Sequence, residues 1–504
     1  MAINRRGHAV PSLSRRALLG AGLGAGSLLA LNACSGSPTG SPSGSSSGSG
    51  AAATVSHWDW FVSQEPWVKA EIEKFQEANP GLTIERTLTQ ADQYPEVVAL
   101  SYRSDDLPDV LMAPDRPALN EQVLNGWLQP LNDLVDEEWL RRFPAYSFVE
   151  GRNVFDGLIY SAPFTGAGPD LQLYLNNQVF RDAGLADGDG KAVLPTTWDE
   201  ATGFARTITE SGGGSVFGFG AGNTEGIVLY QWTSVFLQAA GTPTGIDLRK
   251  AAYTYGSDRN WTDFLELMKA WLDEGLFHPD TLSMTDEVAR ARFAAGEIGM
   301  IVGGSWNIGG WRDNDGFEDY TCTTLIGPTP SPQLYFRKEP GGKSLGLSVN
   351  ASDPEAAFTW FDWWTSPAAG ASWVQDFTLG LSVYPENNDP QKITFAPFAD
   401  FVALTDRSKF WPVPAIRNPD AALVANPSVT PSLSDVLTGY LTNQIDGIGS
   451  ALTDLESRSN EALDVAIEDA VAAGGEVDRT DWEFSDWDPT TDYAYPDLPE
   501  YPTL

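Results

Sequence analysis

Val68, Ile72 and Phe75 recur at helical spacing between a strand-like run, Thr54 to Trp60, and a stop at Asn79-Pro80-Gly81, with Ser63 placed to cap the helix. Leu82 to Leu88 then alternates as a strand, Tyr94 to Arg103 reads as a helix, and Val110 to Met112 as a short buried strand. A β-α-β-α-β order predicts a parallel sheet. Further on, Leu171, Leu173 and Leu175 alternate, and Thr197-Trp198-Asp199-Glu200 spells a capping box opening a helix with Trp198, Ala201, Phe204, Ala205 and Ile208 inward. Helices are expected over 227–239, 262–274, 287–295, 354–365, 367–377, 433–444 and 448–472. The fold class is α/β, without internal repeats. Trp198, Trp271 and Trp364, on inward helix faces, belong to the core.

The first 33 residues break this grammar. They hold four arginines, no lysine and no acidic residue, followed by an apolar, glycine-diluted run from Ala17 to Leu31. That run is shorter than the roughly 20 residues a spanning helix needs, so residues 1–33 read as a removable export signal. Ser14-Arg15-Arg16-Ala17-Leu18-Leu19 resembles a twin-arginine address. Leu31-Asn32-Ala33-Cys34 looks like a bacterial lipobox, in which Cys34 takes a diacylglycerol anchor. Residues 35–53, rich in Ser and Gly, form a tether with a reach of about 25 Å. The expected location is the extracellular face of the cytoplasmic membrane.

Charge and cysteine content narrow the function further. Losing four arginines leaves 27 basic against 68 acidic residues, a net charge near −41. Nucleic acid, whose binders need Lys and Arg against phosphate, is excluded as a partner. Cys34 and Cys322 are the only cysteines, so no disulfide framework exists, and Cys322 in an apolar stretch reads as a buried thiol. His57 and His278 are the only histidines after processing, too few for a catalytic zinc cluster. No metal or cofactor is expected.

Five stretches in order resemble the family 1 extracellular solute-binding proteins, which include the maltose-binding proteins: Asp106 to Val110, Gly157 to Pro163, Leu173 to Asn176 leading to Ala183-Gly184-Leu185, Pro195 to Glu200, and Phe293 to Met300 ending in Gly304-Ser305-Trp306. The resemblance spans most of residues 54–475. It implies two α/β lobes, 54–162 with 343–405 and 163–342 with 406–475, joined by a hinge crossed near 162–163, 342 and 405–412. Ligand is then held in the cleft between lobes, and closure about the hinge is the expected motion. It also implies a monomer that delivers carbohydrate to the permease subunits of an ABC importer.

A sugar pocket needs aromatic platforms and polar rims. Trp58, Asp59 and Trp60 end the first strand, where open α/β sheets bind ligands. Asp115 and Arg116 match a family position where an acidic-basic pair bonds sugar hydroxyls. Trp306 matches the family's cleft tryptophan, and the glycines before it with Ser305 let backbone approach a ligand. Thr165, Trp232, Asn223 and Glu225 complete the candidate set. Several tryptophans favour an oligosaccharide.

Other patterns carry less. Gly44-Ser45-Ser46-Ser47-Gly48 and Gly20-Ala21-Gly22-Leu23-Gly24-Ala25 imitate catalytic and dinucleotide motifs without the flanking strand and helix these need. Asp187 to Gly190 and Asp313 to Gly316 read as turns. Residues 476–504 are acidic, rich in proline and aromatics and aperiodic, compatible with a disordered tail or with a strap on the body. A glycoside hydrolase and a binding protein for another solute remain the alternatives.

Overall fold

A computed structural model of the protein describes residues 53–504 except 63, 92, 225, 227, 426, 427 and 496. The signal, the lipobox at Cys34, the tether, the Ser63 cap and Glu225 lie outside the described residues.

Two four-stranded sheets organise the described chain. The first has the order Leu345–Leu347, Val110–Met112, Ala53–Asp59, Leu82–Leu88. Its last three strands are parallel, as the β-α-β-α-β pattern requires, with helices Glu65–Ala78 and Tyr94–Arg103 as the crossovers. Leu345–Leu347 joins from far down the chain and runs antiparallel, Leu345 opposite Met112. The second sheet has the order Phe217–Gly220, Ile298–Gly304, Leu171–Asn176, Tyr320–Thr323. Only its first pair is parallel.

Every residue of Leu171–Asn176 is buried, although its alternation suggests one wet face. Both faces are covered. Leu171, Leu173 and Leu175 pack with Ala201 and Trp232, whereas Tyr174 packs with Trp311 and Phe398. Helix Trp198–Ser211 begins as its sequence indicates, Thr197 Oγ1 accepting the Glu200 amide at 3.2 Å. The reciprocal half of the capping box differs: the Glu200 carboxylate accepts from the amide and hydroxyl of Thr196 at 2.8 and 2.7 Å. Trp198, Trp271 and Trp364 are buried. In the first lobe, Trp67 meets Trp364 and Trp373 edge-on, with ring centres 4.7 and 5.0 Å apart. Each such pair adds about 0.5–1.5 kcal/mol beyond the area it buries.

Two pairs of distant segments run side by side. The Gly166 amide donates to Leu381 and the Val383 amide to Phe164, at 2.8 and 2.9 Å, and Phe336–Lys338 pairs in parallel with Ser408–Phe410. Helix Ala396–Val402, assigned from sequence to the first lobe, lies against strand Tyr320–Thr323 of the second sheet, and Asp400 pairs with Lys191 at 3.1 Å. The apolar Phe398 and Phe401 cover a sheet face that would otherwise meet water.

The C-terminal segment is a strap. Trp482, Phe484 and Trp487 are buried in a third apolar cluster with Leu248, Trp411 and Leu463. Among the described residues no helix is long and apolar enough to cross a membrane.

Candidate functional site

Sheet geometry brings strand ends together from both lobes around a cavity of about 910 Å³. Asp115 follows the carboxyl end of Val110–Met112. Gly342 and Lys343 precede Leu345, which stands opposite Met112, and so arrive at the same edge. Lys343 Nζ bonds Asp115 at 2.9 Å and the Pro114 carbonyl at 2.7 Å. In the second lobe, Leu171 stands opposite Gly304 in the register. Asp170 and Trp306 therefore meet at one sheet edge, and both line the cavity.

Trp306 is 54% exposed, an unusual state for the largest side chain. Its indole occupies the space where a β-carbon on Gly304 would stand, and the Asn307 amide does the same at Gly303. The two glycines thus make room for the protein's own side chains, where the sequence suggested room for a ligand backbone approach. Ser305, half-buried, opens the short helix Trp306–Gly310 and makes no side-chain cap bond.

Helix Val228–Phe236 has two faces. Tyr230, Gln231 and Ser234, with Gln238 just beyond, look into the cavity at spacings that keep one face. Trp232 sits on the other side. It is fully buried, stacked on Phe236 with ring centres 5.5 Å apart and packed on Phe219 and Phe277, within the core of its lobe. Asn223 lies just before the same helix. It is buried, its Oδ1 accepts the Leu229 amide at 3.2 Å, and its Nδ2 lies 3.3 Å from the Thr438 hydroxyl, so it fixes the start of that helix.

Asp59 ends the first strand inside its lobe. It is wholly buried, bonded by Arg86 Nε at 2.6 Å and Nη2 at 2.7 Å, with His57 Nε2 at 3.1 Å. Burial opposes its ionisation, but the Arg86 and His57 hydrogen bonds outweigh it and hold the carboxyl well below its ordinary range. Its acceptor capacity is spent inside the lobe. Trp58 and Trp60 are half-buried against the first core, Trp60 with its ring centre 4.9 Å from Tyr94. Arg116 is exposed beside Asp115, which pairs with Lys343 instead, and Thr165 is exposed where the crossing strand bridges Ser382. None of these four is a cavity wall residue.

Two wall groups missed from the sequence are acceptors without a protein partner. Asp170 is exposed at the cavity and makes no hydrogen bond or ion pair among the described residues; the surrounding cleft walls desolvate its carboxyl and push it up. The Gln238 Oε1 atom is buried and also unpartnered. Around them stand Phe155, Tyr230, Tyr253, Trp306 and Trp411. Cationic wall residues are neutralised: Arg152 and Arg337 both pair with Glu339. No sequence signal marks Asp170: it precedes the amino end of its strand and reaches the cleft because that strand runs antiparallel to Ile298–Gly304, whose carboxyl end stands opposite Leu171.

The chain belongs to the bacterial extracellular solute-binding proteins, whose family model matches residues 61–371. These are binding proteins rather than enzymes. No curated protein matches the sequence. Among solved structures, the cyclic α-maltosyl-1,6-maltose binding protein of Arthrobacter globiformis is similar at 19% identity and a TM-score of 0.57, covering 82% of this chain and 99% of its own. RafE of Streptococcus pneumoniae is similar at 16% identity and 0.58, covering 82% and 99%. The GacH receptor of Streptomyces glaucescens is similar at 15% and 0.58, covering 81% and 98%. These likenesses establish the two-lobed fold. They leave more of this chain uncovered than its first 52 residues amount to, and the family match ends well before the C-terminal strap.

Proposed function

We propose that the protein captures a carbohydrate, an oligosaccharide in preference to a monosaccharide, in the interlobe cavity and delivers it to the permease of an ABC importer. One observation carries this reading: the partnerless acceptors Asp170 and Gln238 Oε1 stand among aromatic faces. A ligand that satisfies both must bring hydrogen-bond donors on an otherwise apolar body, and a sugar combines hydroxyl edges with C–H faces. Asp115, Trp306, Tyr230 and Trp411 supply the remaining contacts in this proposal. The similarity to a cyclic α-maltosyl-1,6-maltose binding protein and to the GacH receptor, whose structure was solved in complex with acarbose, supports the substrate class.

The same reading assigns the lobes as hinged halves that close on the ligand. It also assigns Cys34 as the lipid anchor after twin-arginine export, with the protein a monomer on the outer face of the membrane. Two acyl chains at Cys34 supply stable anchoring that one chain does not. Cys34→Ala is expected to release the exported protein into the medium with its ligand affinity unchanged; retention on the membrane rejects the anchor.

Thermal-shift measurements against maltotriose, raffinose and chitotetraose test the cargo. A ligand at 100 times its Kd adds about 2.7 kcal/mol of stability. Reducing ends released during the incubation would instead indicate a hydrolase, and no shift with any sugar rejects the carbohydrate reading.

A further inference from the structure

We propose that the C-terminal strap, residues 479–504, is a working part of the ligand site: Trp482 completes the cavity wall, and the last residues clasp the opposite lobe and limit how far the cleft opens. The inference rests on the cavity being the ligand site.

The wall and the strap share one apolar cluster. Leu248, Trp411, Ala421, Leu463 and Trp482 belong both to the third core and to the cavity lining. Behind them, Trp487 packs on Trp411 with ring centres 4.9 Å apart, and the Arg417 guanidinium lies 3.5 Å from the Phe484 ring centre. Removing the strap would strip the backing from Trp411, a cavity wall residue on the hinge side, and expose apolar surface to water.

The strap's bonds run in sequence from one lobe, over the hinge, to the other. Arg479 begins it in the second lobe, donating to the Ala251 carbonyl at 2.6 Å and to Asn460 Oδ1 at 2.6 Å, and the Phe484 amide donates to Leu248 at 2.6 Å. At the hinge ribbon, Asp492 Oδ1 accepts the Phe410 amide at 2.7 Å, the Tyr493 amide donates to the Phe410 carbonyl at 2.8 Å, and the Tyr495 hydroxyl donates to Trp411 at 2.6 Å. In the first lobe, the Tyr146 amide donates to the Glu500 carbonyl at 2.9 Å, and the Tyr501 hydroxyl donates to Phe143 at 2.9 Å. Phe143 packs on Trp139 and Tyr384, well inside that lobe's core. A segment tied at both ends resists separation of its anchor points, so opening the cleft beyond this geometry must first break the Glu500 and Tyr501 bonds.

Two measurements on the full-length exported protein test the two halves. Spin labels at Leu124→Cys and Val193→Cys, exposed positions in opposite lobes, report the interlobe distance without ligand, Cys322 being buried. Deleting residues 499–504 is expected to lengthen and broaden that distance while the melting temperature holds; an unchanged distribution overturns the clasp. Trp482→Phe and Trp482→Ala are expected to raise the Kd for whichever of maltotriose, raffinose or chitotetraose binds, about two- to tenfold for the loss of an aromatic contact. Unchanged affinity in the folded Trp482→Phe protein overturns the wall assignment. If the parent protein binds none of the three sugars, the cargo reading fails, while the label distances still decide the clasp.

Discussion

The indole of Trp306 lies over Gly304, filling the place of the side chain that this glycine lacks. A strand end that elsewhere would carry a β-carbon here seats an exposed aromatic plane at the rim of the cavity. Trp306→Ala is expected to raise the Kd for the bound sugar about two- to tenfold, since an aromatic contact is worth about 0.5–1.5 kcal/mol beyond its area. Its unliganded melting temperature is expected to stay close to the parent's because the ring is half in water. Gly304→Ala is expected to weaken binding as well, by displacing the ring. Calorimetric titration beside a melting curve checks both, and a large melting loss with affinity retained places Trp306 in the core.

Asp170 stands exposed at the cavity with no protein partner among the described residues. Desolvation by the cleft walls raises its carboxyl above the ordinary value of about 3.9, although the side chain itself is exposed, so ionising it costs the folded state only a little. The sign follows: the penalty is absent below that ordinary value and grows as pH rises through the raised folded value. Asp170→Asn is therefore expected to melt at or slightly above the parent at pH 7, solvent screening most of the cost, with any gain vanishing below about pH 4, and to bind sugar more weakly. Melting curves across pH, paired with a titration at pH 7, check this; a lower melting temperature at pH 7 rejects it.

Asp59 behaves in the opposite sense. Its folded carboxyl lies below the ordinary range, so its contribution is present above about pH 4 and is lost as pH falls further. Asp59→Ala leaves Arg86 and His57 without their acceptor and is expected to cost about 3–5 kcal/mol at pH 7. Denaturant unfolding measures the loss. Sugar affinity in whatever fraction remains folded is expected to be unchanged, because Asp59 faces no cavity.

Trp232→Ala tests the two faces of helix Val228–Phe236. Truncating this buried ring is expected to cost about 3–5 kcal/mol, read by denaturant unfolding. Gln231→Ala, one residue away on the cavity face, is expected to leave stability within about 0.5 kcal/mol and to weaken sugar binding. Equal effects of the two on both measurements reject the assignment of faces.

Local pattern by itself determined much of the molecule. Strand Leu82–Leu88, helices Tyr94–Arg103 and Ile448–Ala472, and the short strand Val110–Met112 follow directly from apolar spacing, because the 2.0 and 3.6 periods are properties of the backbone. Residues such as Trp306 and Asp115, each just past a strand, were legible as cavity candidates because strand ends of such sheets face a cleft. Only the tertiary structure decided which neighbour completes each pair. Lys343 reaches Asp115 because a distant strand joins the sheet antiparallel, and Arg86 claims Asp59 across the adjacent parallel strand. Helical spacing alone cannot say which of two partly apolar faces turns inward, and so Trp232 is core while Tyr230 and Gln231 line the cavity. Whether the C-terminal residues form a tail or a strap was undecided by the sequence for a related reason. Their tryptophans follow no period because they are buried by the hinge and long-helix surfaces they land on, Trp411 and Leu463, and by no regular element of their own.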